Sequence, residues 1–238
     1  MTDYKRIVIL SGAGISAESG LATFRDEDGM WNHHRVEDVA TVEGFAKNPE
    51  YVHDFYNELK KELIKANPNP AHLAITRLQQ QYPAQTAVIT QNVDTLHEKA
   101  GNQNVFHIHG QIDQAVCTNC GHILSTWDDV TTEDICPQCS LTGTFKPNIV
   151  FFGESLLYMN EVDELLRSCD LFISIGTSGV VFPANTFVRT AKYYHADTIE
   201  FNLKPTVNNY EFDRHIIGPA GETFPRFVEE LINVNESI

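Results

Sequence analysis

Long apolar runs are missing from this chain of 238 residues. The longest ones, around residues 148–153 and 171–176, are far shorter than the roughly 18 residues that a membrane span requires. The apolar stretch at residues 7–10 is also too short for the apolar region of a signal peptide. We therefore expect a cytoplasmic protein with no membrane partner.

Positive charge is scarce as well. The chain has 17 Lys and Arg against 32 Asp and Glu, which gives a formal net charge of −15. Such a surface repels phosphate backbones and anionic headgroups, so we expect no nucleic-acid partner. There are only 5 cysteines, and in a reducing compartment they suggest metal binding or chemistry before disulfides.

Repeats are absent, and the chain instead contains short β-branched runs without polar alternation. Such runs are typical of strands that are buried on both faces of a parallel sheet. Helical patterns between them predict an α/β fold with a doubly wound, Rossmann-like parallel sheet. The predicted strands cover residues 7–10, 87–90, 105–107, 149–152, 171–175 and 198–201, and the predicted helices cover 94–100, 160–168, 183–194 and 224–234.

Two stretches interrupt this alternation of strands and helices. Residues 29–83 show a helical pattern over 49–66 and no convincing strand, and residues 111–143 are polar, rich in turns and contain four cysteines. We predict that the two excursions, one helical and one a zinc ribbon, form a small domain. Residues 1–28, 84–110 and 144–238 then form a discontinuous sheet domain, with a ligand cleft between the lobes.

The first predicted strand leads directly into a glycine-rich turn. The spacing Gly12-x-Gly14-x-x-Ala17 after a strand is that of a turn whose backbone approaches a pyrophosphate at a helix N-terminus. A glycine turn without a ligand is the alternative. No second strand ending in Asp or Glu follows within about 20 residues, so a nucleotide bound here is not expected to serve simple hydride transfer.

The cysteines form two pairs, Cys117-x-x-Cys120 and Cys136-x-x-Cys139. Two such turns at this separation fit one tetrahedral zinc ion, and a redox-active dithiol is the alternative. Four thiolates leave no position open for water, so the zinc is expected to be structural. Cys169, next to a buried strand, is expected to be a core residue.

Polar side chains follow two predicted strands. Gln91, Asn92 and Asp94 come after one of them, and His107 and His109 lie at the end of the next. The carboxyl ends of parallel strands are where open α/β sheets bind ligands. One of the two histidines can face the site as a general base while the other is structural. Asp94 as a simple helix cap is the alternative.

Taken together, these motifs resemble the sirtuin family of NAD-dependent protein deacylases along nearly the whole chain. The chain is most similar to the bacterial CobB-type branch, through Gly29-Met-Trp31, residues 36–41 and Phe55-Tyr56. The motifs that carry the resemblance are residues 12–20, Thr23-Phe24-Arg25, residues 90–94, His109-Gly110, the two cysteine pairs, residues 146–154 and Gly176-Thr177-Ser178.

The resemblance implies that the protein consumes NAD as a co-substrate while it removes an acyl group from lysine. Nicotinamide, free lysine and O-acyl-ADP-ribose would be released. By position, Phe24 and Arg25 match the loop that closes over the reacting centre. The expected NAD contacts are Gly12, Ala13, Gly14, Ala17, Thr23, Phe24, Arg25, Trp31, Gln91, Asn92, Val93, Asp94, His109, Gly176, Thr177, Ser178, Asn202, Leu203, Lys204 and Ala220.

The same resemblance makes His109 the base that deprotonates a ribose hydroxyl, and Asn92 a second catalytic residue. The expected partners are acylated-lysine proteins, bound as a strand added between residues 153–154 and 179–182 of a monomer. The substrate path is expected to include Tyr56, Leu59, Val150, Phe152, Gly153, Glu154, Gly179, Val180 and Val181.

One position departs from the desuccinylase branch, in which Tyr-x-x-Arg binds the carboxylate of an acidic acyl group. Here Tyr56 is followed by Leu59 at the arginine position. Leucine cannot form the charge-assisted bond, which predicts weak desuccinylation with deacetylation retained. Lys60 or Lys61 could substitute, but helical geometry turns neighbouring residues about 100° away.

Two other functions stay open at this point. A Rossmann oxidoreductase that uses NAD would share the glycine turn, and a non-catalytic zinc-ribbon reader of acyl-lysine would share the cysteines. Neither explains residues 91–94 together with His109-Gly110.

Overall fold

The computed structural model of the protein describes residues 4–22, 30–31 and 34–235. In chain order, its strands and helices are β1 Arg6–Ser11, α1 Ala13–Ala17, β2 Met30–Trp31, β3 His34–Arg35, α2 Val36–Val39, α3 Val42–Lys47, α4 Pro49–Leu63, α5 Pro70–Gln81, β4 Gln85–Thr90, α6 Leu96–Ala100, β5 Val105–His107, β6 Gly110–Cys117, β7 Ile123–Ser125, β8 Phe145–Ile149, α7 Met159–Ser168, β9 Leu171–Ile175, α8 Phe187–Tyr193, β10 Asp197–Asn202, β11 Arg214–Ile217 and α9 Ala220–Asn235.

Six of these strands form one parallel sheet in the order β11-β10-β9-β1-β4-β5. From β1, the chain first adds β4 and β5 on one side and later adds β9, β10 and β11 on the other. The carboxyl edge at such a reversal is where open α/β sheets bind ligands. The predicted doubly wound α/β fold is therefore confirmed.

Helices cover both faces of this sheet, which explains the apolar runs without alternation. Ile7 and Ile9 of β1 pack into a core with α5 and α9, while Val8 and Leu10 pack on the other face with α7 and α8. Cys169 lies in the second core, where burial raises the pKa of its thiol to about 12. Its assignment as a core residue agrees with this environment.

The small lobe combines the helical excursion with the cysteine-bearing stretch. β6, β7 and β8 form an antiparallel sheet in the order β7-β6-β8. Tyr56 of α4 shares a core with Ile112 and Ile149 of this sheet. Asn57 also joins the two parts, because its side-chain amide donates to O of Val130 at 2.9 Å and accepts from N of Val130 at 3.0 Å.

Several elements differ from the sequence-based expectations. The predicted strand at 149–152 is wrong, because β8 ends at Ile149 and pairs with β6 in the small sheet. α5 was not predicted, and it packs with α9 and the parallel sheet. β11 was missed because it is a short edge strand with three of its four residues exposed. We therefore propose that the small domain ends its first part before Pro70 and its second part at Ile149, in place of residues 83 and 143.

Within the described ranges, no helix combines the length and the apolar character that crossing a bilayer demands.

Candidate active site

Four turns meet at the carboxyl edge of the parallel sheet. The turn after β1 carries Gly12, the turn after β4 carries Gln91, the turn after β5 carries His109, and the turn after β9 carries Gly176. Because parallel strands end at the same edge, these turns surround one site next to β1.

The two glycine turns touch each other backbone to backbone. Gly12 N donates to O of Ile175 at 3.0 Å, and Gly14 N donates to O of Gly176 at 2.8 Å. A Cβ on Gly14 would lie 2.7 Å from both Cα and O of Gly176. Gly176 has a φ of +63°, a left-handed conformation that favours glycine. The glycines are therefore required for packing of the two turns, in addition to any role in binding a phosphate.

The polar side chains after β4 meet at Ser16 of α1. Asn92 Nδ2 donates to O of Gly12 at 3.2 Å and to Oγ of Ser16 at 3.1 Å, and Ser16 Oγ donates to Oδ2 of Asp94 at 2.9 Å. Asp94 Oδ1 accepts from N of Leu96 at 3.0 Å. Asp94 thus accepts from the first residue of α6, although the N-cap position is Thr95, and it also lies in the polar cluster. Ser16 was not selected from the sequence, although a serine inside a glycine-rich turn is a usable signal.

His109 has the geometry of a general base. Its Nδ1 lies 2.8 Å from O of Gln91, and because a carbonyl oxygen only accepts, Nδ1 carries a proton. In the neutral ring, Nε2 then has the lone pair that can take a proton. Burial lowers the pKa of His109, although the hydrogen bond to Gln91 opposes this. The neutral ring is therefore the dominant form near pH 7.

His107 lies behind the turn and is buried. Its Nδ1 lies 2.9 Å from O of Asn92, and its Nε2 lies 2.9 Å from Oε1 of Glu98. The two histidines of the His-x-His sequence therefore hold the carbonyl oxygens of two consecutive residues, Gln91 and Asn92.

A second buried polar layer supports this turn. His97 Nδ1 lies 2.6 Å from Oδ1 of Asn102, and its Nε2 lies 2.8 Å from Oγ of Ser11. Ser11 Oγ contacts Oγ1 of Thr90 at 2.9 Å, and that oxygen accepts from N of Asn92 at 3.1 Å. His97 and Ser11 had no predicted role, because their contact with each other, and that of Ser11 with Thr90, joins residues about 80 positions apart along the chain.

The other expected NAD contacts are spread over neighbouring turns. Asn202 Nδ2 donates to O of Thr177 at 2.6 Å, which joins the turns after β9 and β10. Ala220 is buried at the start of α9, and Val93 packs against the core of the small lobe. Ala13 and Ala17 of α1 are half-buried. Ser178, Leu203 and Lys204 are exposed. Thr23, Phe24 and Arg25 lie outside the described residues.

Trp31 packs in the small lobe with residues of the expected substrate path. Its ring centroid lies 5.0 Å from that of Phe55 and 5.8 Å from that of Tyr56. Tyr56 stacks on Phe151 at 6.2 Å and shares a core with Leu59. Among the described residues, the buried hydroxyl of Tyr56 has no hydrogen-bond partner, and burial raises its pKa.

The two lysines after Leu59 are engaged elsewhere. Lys60 Nζ donates to O of Asp128 at 3.0 Å in the zinc-ribbon stretch. Lys61 is half exposed and forms ion pairs with Glu58 at 3.0 Å and Asp129 at 3.2 Å. Both ammonium groups therefore bind acceptors away from the Tyr56 hydroxyl.

The stretch after β8 lies beside His109 and is held by an ion pair. Val150 N donates to O of His109 at 2.9 Å. Glu154 Oε2 accepts from Lys146 Nζ at 2.8 Å and from N of Phe151 at 2.8 Å. Lys146 Nζ also lies 4.0 Å from the centre of the Phe151 ring, a cation–π contact. This stretch is thus held in place before any substrate arrives.

The second expected substrate segment lies near Gln91. Gly179 and Val181 line the same small cavity as Gln91 and Thr177. The exposed residues in and next to the two segments include Phe152, Gly153, Glu154, Val180 and Phe182. Both segments therefore border the carboxyl edge of the sheet, one beside His109 and the other beside Gln91.

The four cysteines of the small sheet converge. Their Sγ atoms all lie within 4.8 Å of one another, and the distances from Cys117 to Cys139 and from Cys120 to Cys136 are both 3.7 Å. A tetrahedral zinc ion with Zn–S bonds of about 2.3 Å requires S–S distances of about 3.8 Å. The cluster therefore fits one structural zinc ion, and the sulfurs are too far apart for disulfides.

Comparisons with known proteins agree with this geometry. A family model described as the Sir2 family matches residues 12–183. A protein of Vibrio vulnificus (strain YJ016) named NAD-dependent protein deacylase is 48% identical over 236 residues, which cover 98% of this chain and 96% of that protein.

Solved structures show the same fold. A Sir2 homologue in complex with NAD has a TM-score of 0.88 and 35% identity, and the match covers 98% of this chain and 91% of that chain. Sir2Af2 bound to a myristoylated histone peptide has a TM-score of 0.76 and 34% identity, with coverage of 99% and 94%.

Proposed function

Because the chain belongs to the Sir2 family, we propose that it is an NAD-dependent protein-lysine deacylase that transfers the acyl group to ADP-ribose. Nicotinamide, free lysine and O-acyl-ADP-ribose are the products. The observation that carries this proposal is the neutral imidazole of His109, held by Gln91 at the sheet edge beside Asn92 and the glycine turns.

NAD, bound as a co-substrate, supplies the ribose that accepts the acyl oxygen and the nicotinamide that leaves. We propose that the pyrophosphate binds at Gly12, Ala13 and Gly14, in the glycine turn that leads from β1 into α1. The adenosine end is placed at Asn202 and Ala220. The NAD complex of a solved Sir2 homologue with this fold supports the assignment.

The turn after β4 holds the nicotinamide end in this proposal. Asn92 and Asp94 are buried and fixed by Ser16, so their orientation requires little change when the ligand binds. His109 takes the proton of a ribose hydroxyl at Nε2, and its low pKa keeps that atom unprotonated near pH 7. By their resemblance to the family's closing loop, Phe24 and Arg25, which lie outside the described residues, are proposed to limit water at the centre.

The acyl-lysine protein is proposed to bind as an added strand between residues 153–154 and 179–182. Backbone pairing of this kind accepts many sequences. The ion pair of Lys146 and Glu154 holds the first of these segments beside His109. The complex of Sir2Af2 with a myristoylated histone peptide supports this class of partner. We also propose that the protein acts as a cytoplasmic monomer.

The acyl group is proposed to be neutral, with weak activity on succinyl-lysine. Leu59 offers no donor to a carboxylate, and Lys60 and Lys61 are bound to Asp128, Glu58 and Asp129. The unpartnered hydroxyl of Tyr56 provides a single neutral hydrogen bond, which is weaker than a bidentate contact from arginine.

The main experiment incubates the purified protein with NAD and a panel of acyl-lysine peptides and reads the products by mass. We expect O-acetyl-ADP-ribose from the acetyl peptide and little product from the succinyl peptide. A dominant succinyl product would overturn the proposed acyl preference, and an absence of any acyl-ADP-ribose would overturn the proposed reaction. Reduction of NAD, seen by absorbance, would indicate an oxidoreductase instead.

A matched pair of variants tests the role of position 59. Leu59→Arg is expected to raise the ratio of succinyl to acetyl turnover at least tenfold, because it restores a charged donor one helical turn from Tyr56. Leu59→Met conserves the volume and is expected to leave the ratio unchanged. Equal ratios in the two variants would contradict this explanation.

A further inference from the structure

The turn between β4 and α6 is fixed through its carbonyl oxygens. Four consecutive carbonyls, those of residues 90–93, each accept a hydrogen bond from residues 107–112. The donors are Ile108 N at 3.0 Å, His109 Nδ1 at 2.8 Å, His107 Nδ1 at 2.9 Å and Ile112 N at 2.9 Å, in the order of the carbonyls. The two outer carbonyls accept from backbone N–H groups. The two central ones, of Gln91 and Asn92, accept from the side chains of His109 and His107.

The two histidines differ in protonation. Both ring nitrogens of His107 face atoms that only accept, the carbonyl oxygen of Asn92 and the carboxylate of Glu98. A neutral imidazole has one N–H, so it can donate to just one of these partners. An imidazolium donates to both, and its bond to the carboxylate is charge-assisted.

The surroundings of His107 favour the charged ring. Burial alone would lower the pKa of His107, but the hydrogen bond and the charge of Glu98 raise it above its ordinary value. Burial would also raise the pKa of Glu98, but the contact with His107 lowers it, so Glu98 is ionised. The other titratable groups that act on this pair are Asp94, Asp113 and His97.

Asp113 of β6 lies on the side of the small sheet, where burial raises the pKa of its carboxyl and the charge of His107 opposes this. Its Oδ1 is buried and, among the described residues, has no hydrogen-bond partner. Its interaction with His107 is attractive and its interaction with Glu98 is repulsive. His97 opposes a charge on His107, but burial lowers its pKa and keeps it neutral. Among the described residues, the carboxylates of Glu98 and Asp94 therefore favour the charged form of His107.

We propose that His107, held as an imidazolium between the Asn92 carbonyl and the Glu98 carboxylate, is a positioning residue that orients the turn carrying Asn92 and Asp94 for the nicotinamide end of NAD. This inference rests on the proposed function. Among the described residues, the ring of His107 bonds to the carbonyl of Asn92 and the carboxylate of Glu98, so it acts through the backbone of Asn92. His109, two residues later, stays neutral and acts as the base.

In this proposal, activity requires His109 to be neutral and His107 to be protonated. Activity is lost at low pH when His109 gains a proton, and it is lost at high pH when His107 releases one and gives up a partner. Removal of the Glu98 charge is expected to move the alkaline limb to lower pH by about one to three units. The acid limb belongs to His109 and is expected to stay in place.

The first test is a spectrum of the histidine ring nitrogens of the full-length protein by ¹H–¹⁵N NMR at pH 7, assigned by comparison with His107→Asn. We expect both nitrogens of His107 to be protonated, and His109 to show one protonated and one unprotonated nitrogen. A neutral His107 ring would overturn the proposal, and this readout does not depend on deacylase activity.

The second test measures deacylation of an acetyl-lysine peptide against pH for the wild type, Glu98→Gln and Asp163→Asn. The last variant is the control, because it removes one carboxylate from an exposed ion pair with Arg167 on α7. We expect Glu98→Gln to shift the alkaline limb and Asp163→Asn to leave the profile unchanged. An unmoved alkaline limb in Glu98→Gln would overturn the proposal.

The third test separates positioning from a general loss of stability. His107→Asn keeps a donor for the Asn92 carbonyl without a charge, whereas His107→Leu has no donor. We expect kcat/KM for NAD to fall about tenfold to a hundredfold in His107→Leu and less in His107→Asn, with KM for the peptide changed less than twofold. Equal losses for NAD and peptide would indicate a structural role only.

If the wild type shows no deacylation, the proposed function fails, while the NMR spectrum still decides the protonation state of His107.

Discussion

Replacement of Gly14 by alanine tests whether the two glycine turns must touch for the fold itself. Gly14 is the second residue of α1, and a helical Gly→Ala change ordinarily stabilises a protein by up to about 1 kcal/mol. Here the new Cβ would lie 2.7 Å from Cα and O of Gly176. Both atoms belong to the backbone of Gly176. This backbone is fixed by the hydrogen bond from Gly14 N to O of Gly176 and has a left-handed conformation.

The size of the effect follows from two opposing terms. Overpacking in a well-packed region costs about 1–3 kcal/mol, and helix propensity returns up to about 1 kcal/mol. We therefore expect Gly14→Ala to lower the free energy of unfolding by about 1–2 kcal/mol. For a protein of this size that corresponds to a melting temperature about 2–8 °C lower. Deacylation with NAD should fall too, because the displaced turn is the proposed pyrophosphate site.

Gly221 provides a matched control within the same chain. It is the second residue of α9, it also follows an alanine, and a Cβ there would lie 2.7 Å from an atom as well. That atom is Oε2 of Glu18, the end of an exposed, flexible side chain. The carboxylate ends a flexible side chain and can shift, although it accepts from N of Gly221 at 2.8 Å. We therefore expect Gly221→Ala to change the free energy of unfolding by less than about 1 kcal/mol in either direction.

Urea unfolding followed by circular dichroism measures both variants against the wild type, with the slope of the transition as a check on the unfolded state. The two substitutions share chemistry, helix position and contact distance, and in each the neighbour accepts from the glycine N, but one neighbour is backbone and the other is the end of a side chain. A Gly14→Ala protein as stable as Gly221→Ala would refute the reasoning, since it would show that the Gly176 turn moves at little cost.

Three further predictions concern the zinc cluster, the base and the pH dependence of stability. Cys136→Ser, or removal of metal with a chelator, should release zinc and unfold the small lobe. Metal analysis measures the zinc and hydrogen exchange measures the unfolding, and a protein that keeps its exchange protection without zinc would contradict this prediction. His109→Ala should abolish acyl transfer, and His109→Asn, which keeps a donor to Gln91, should be equally inactive but closer to the wild type in melting temperature. Burial lowers the pKa of His53 in the folded protein. The imidazole therefore binds a proton more readily in the unfolded chain, and the free energy of unfolding should fall as the pH drops below about 6.5. His53→Gln, which retains a donor for O of Phe145, should weaken that dependence, and an unchanged pH slope would count against it.

Local sequence patterns were sufficient for much of the fold. The strands β1, β4, β5, β9 and β10 appear as short apolar runs without alternation, because a strand covered on both faces has no polar side. The cysteine pairs were also readable, since each Cys-x-x-Cys turn is closed within a few residues. Gly121 N donates to O of Cys117 at 2.9 Å, and Ser140 N donates to O of Cys136 at 2.8 Å.

Other elements could not be recognised in this way. α5 resembles a helix of the excursion in sequence, and only its contacts with α9 assign it to the sheet domain. The run at 149–152 has the composition of a parallel strand, yet β8 ends at Ile149 because its pairing partner is β6. Pairing partners are chosen by packing across long sequence separations, which a local pattern does not encode.

For the site, the sequence by itself determined which residue types stand at the carboxyl ends of the strands: the glycines, the turn with Asn92 and Asp94, and the His-x-His pair. Only the tertiary structure decided the state of each one. His107 and His109 are two residues apart and have the same chemistry. Glu98 faces the ring of His107, whereas within the described ranges the ring of His109 is held by the carbonyl oxygen of Gln91. The charge of an imidazole depends on the partners that the fold brings within hydrogen-bond distance. The fold therefore favours the charged form of His107 and the neutral form of His109, as our proposals for these two residues require.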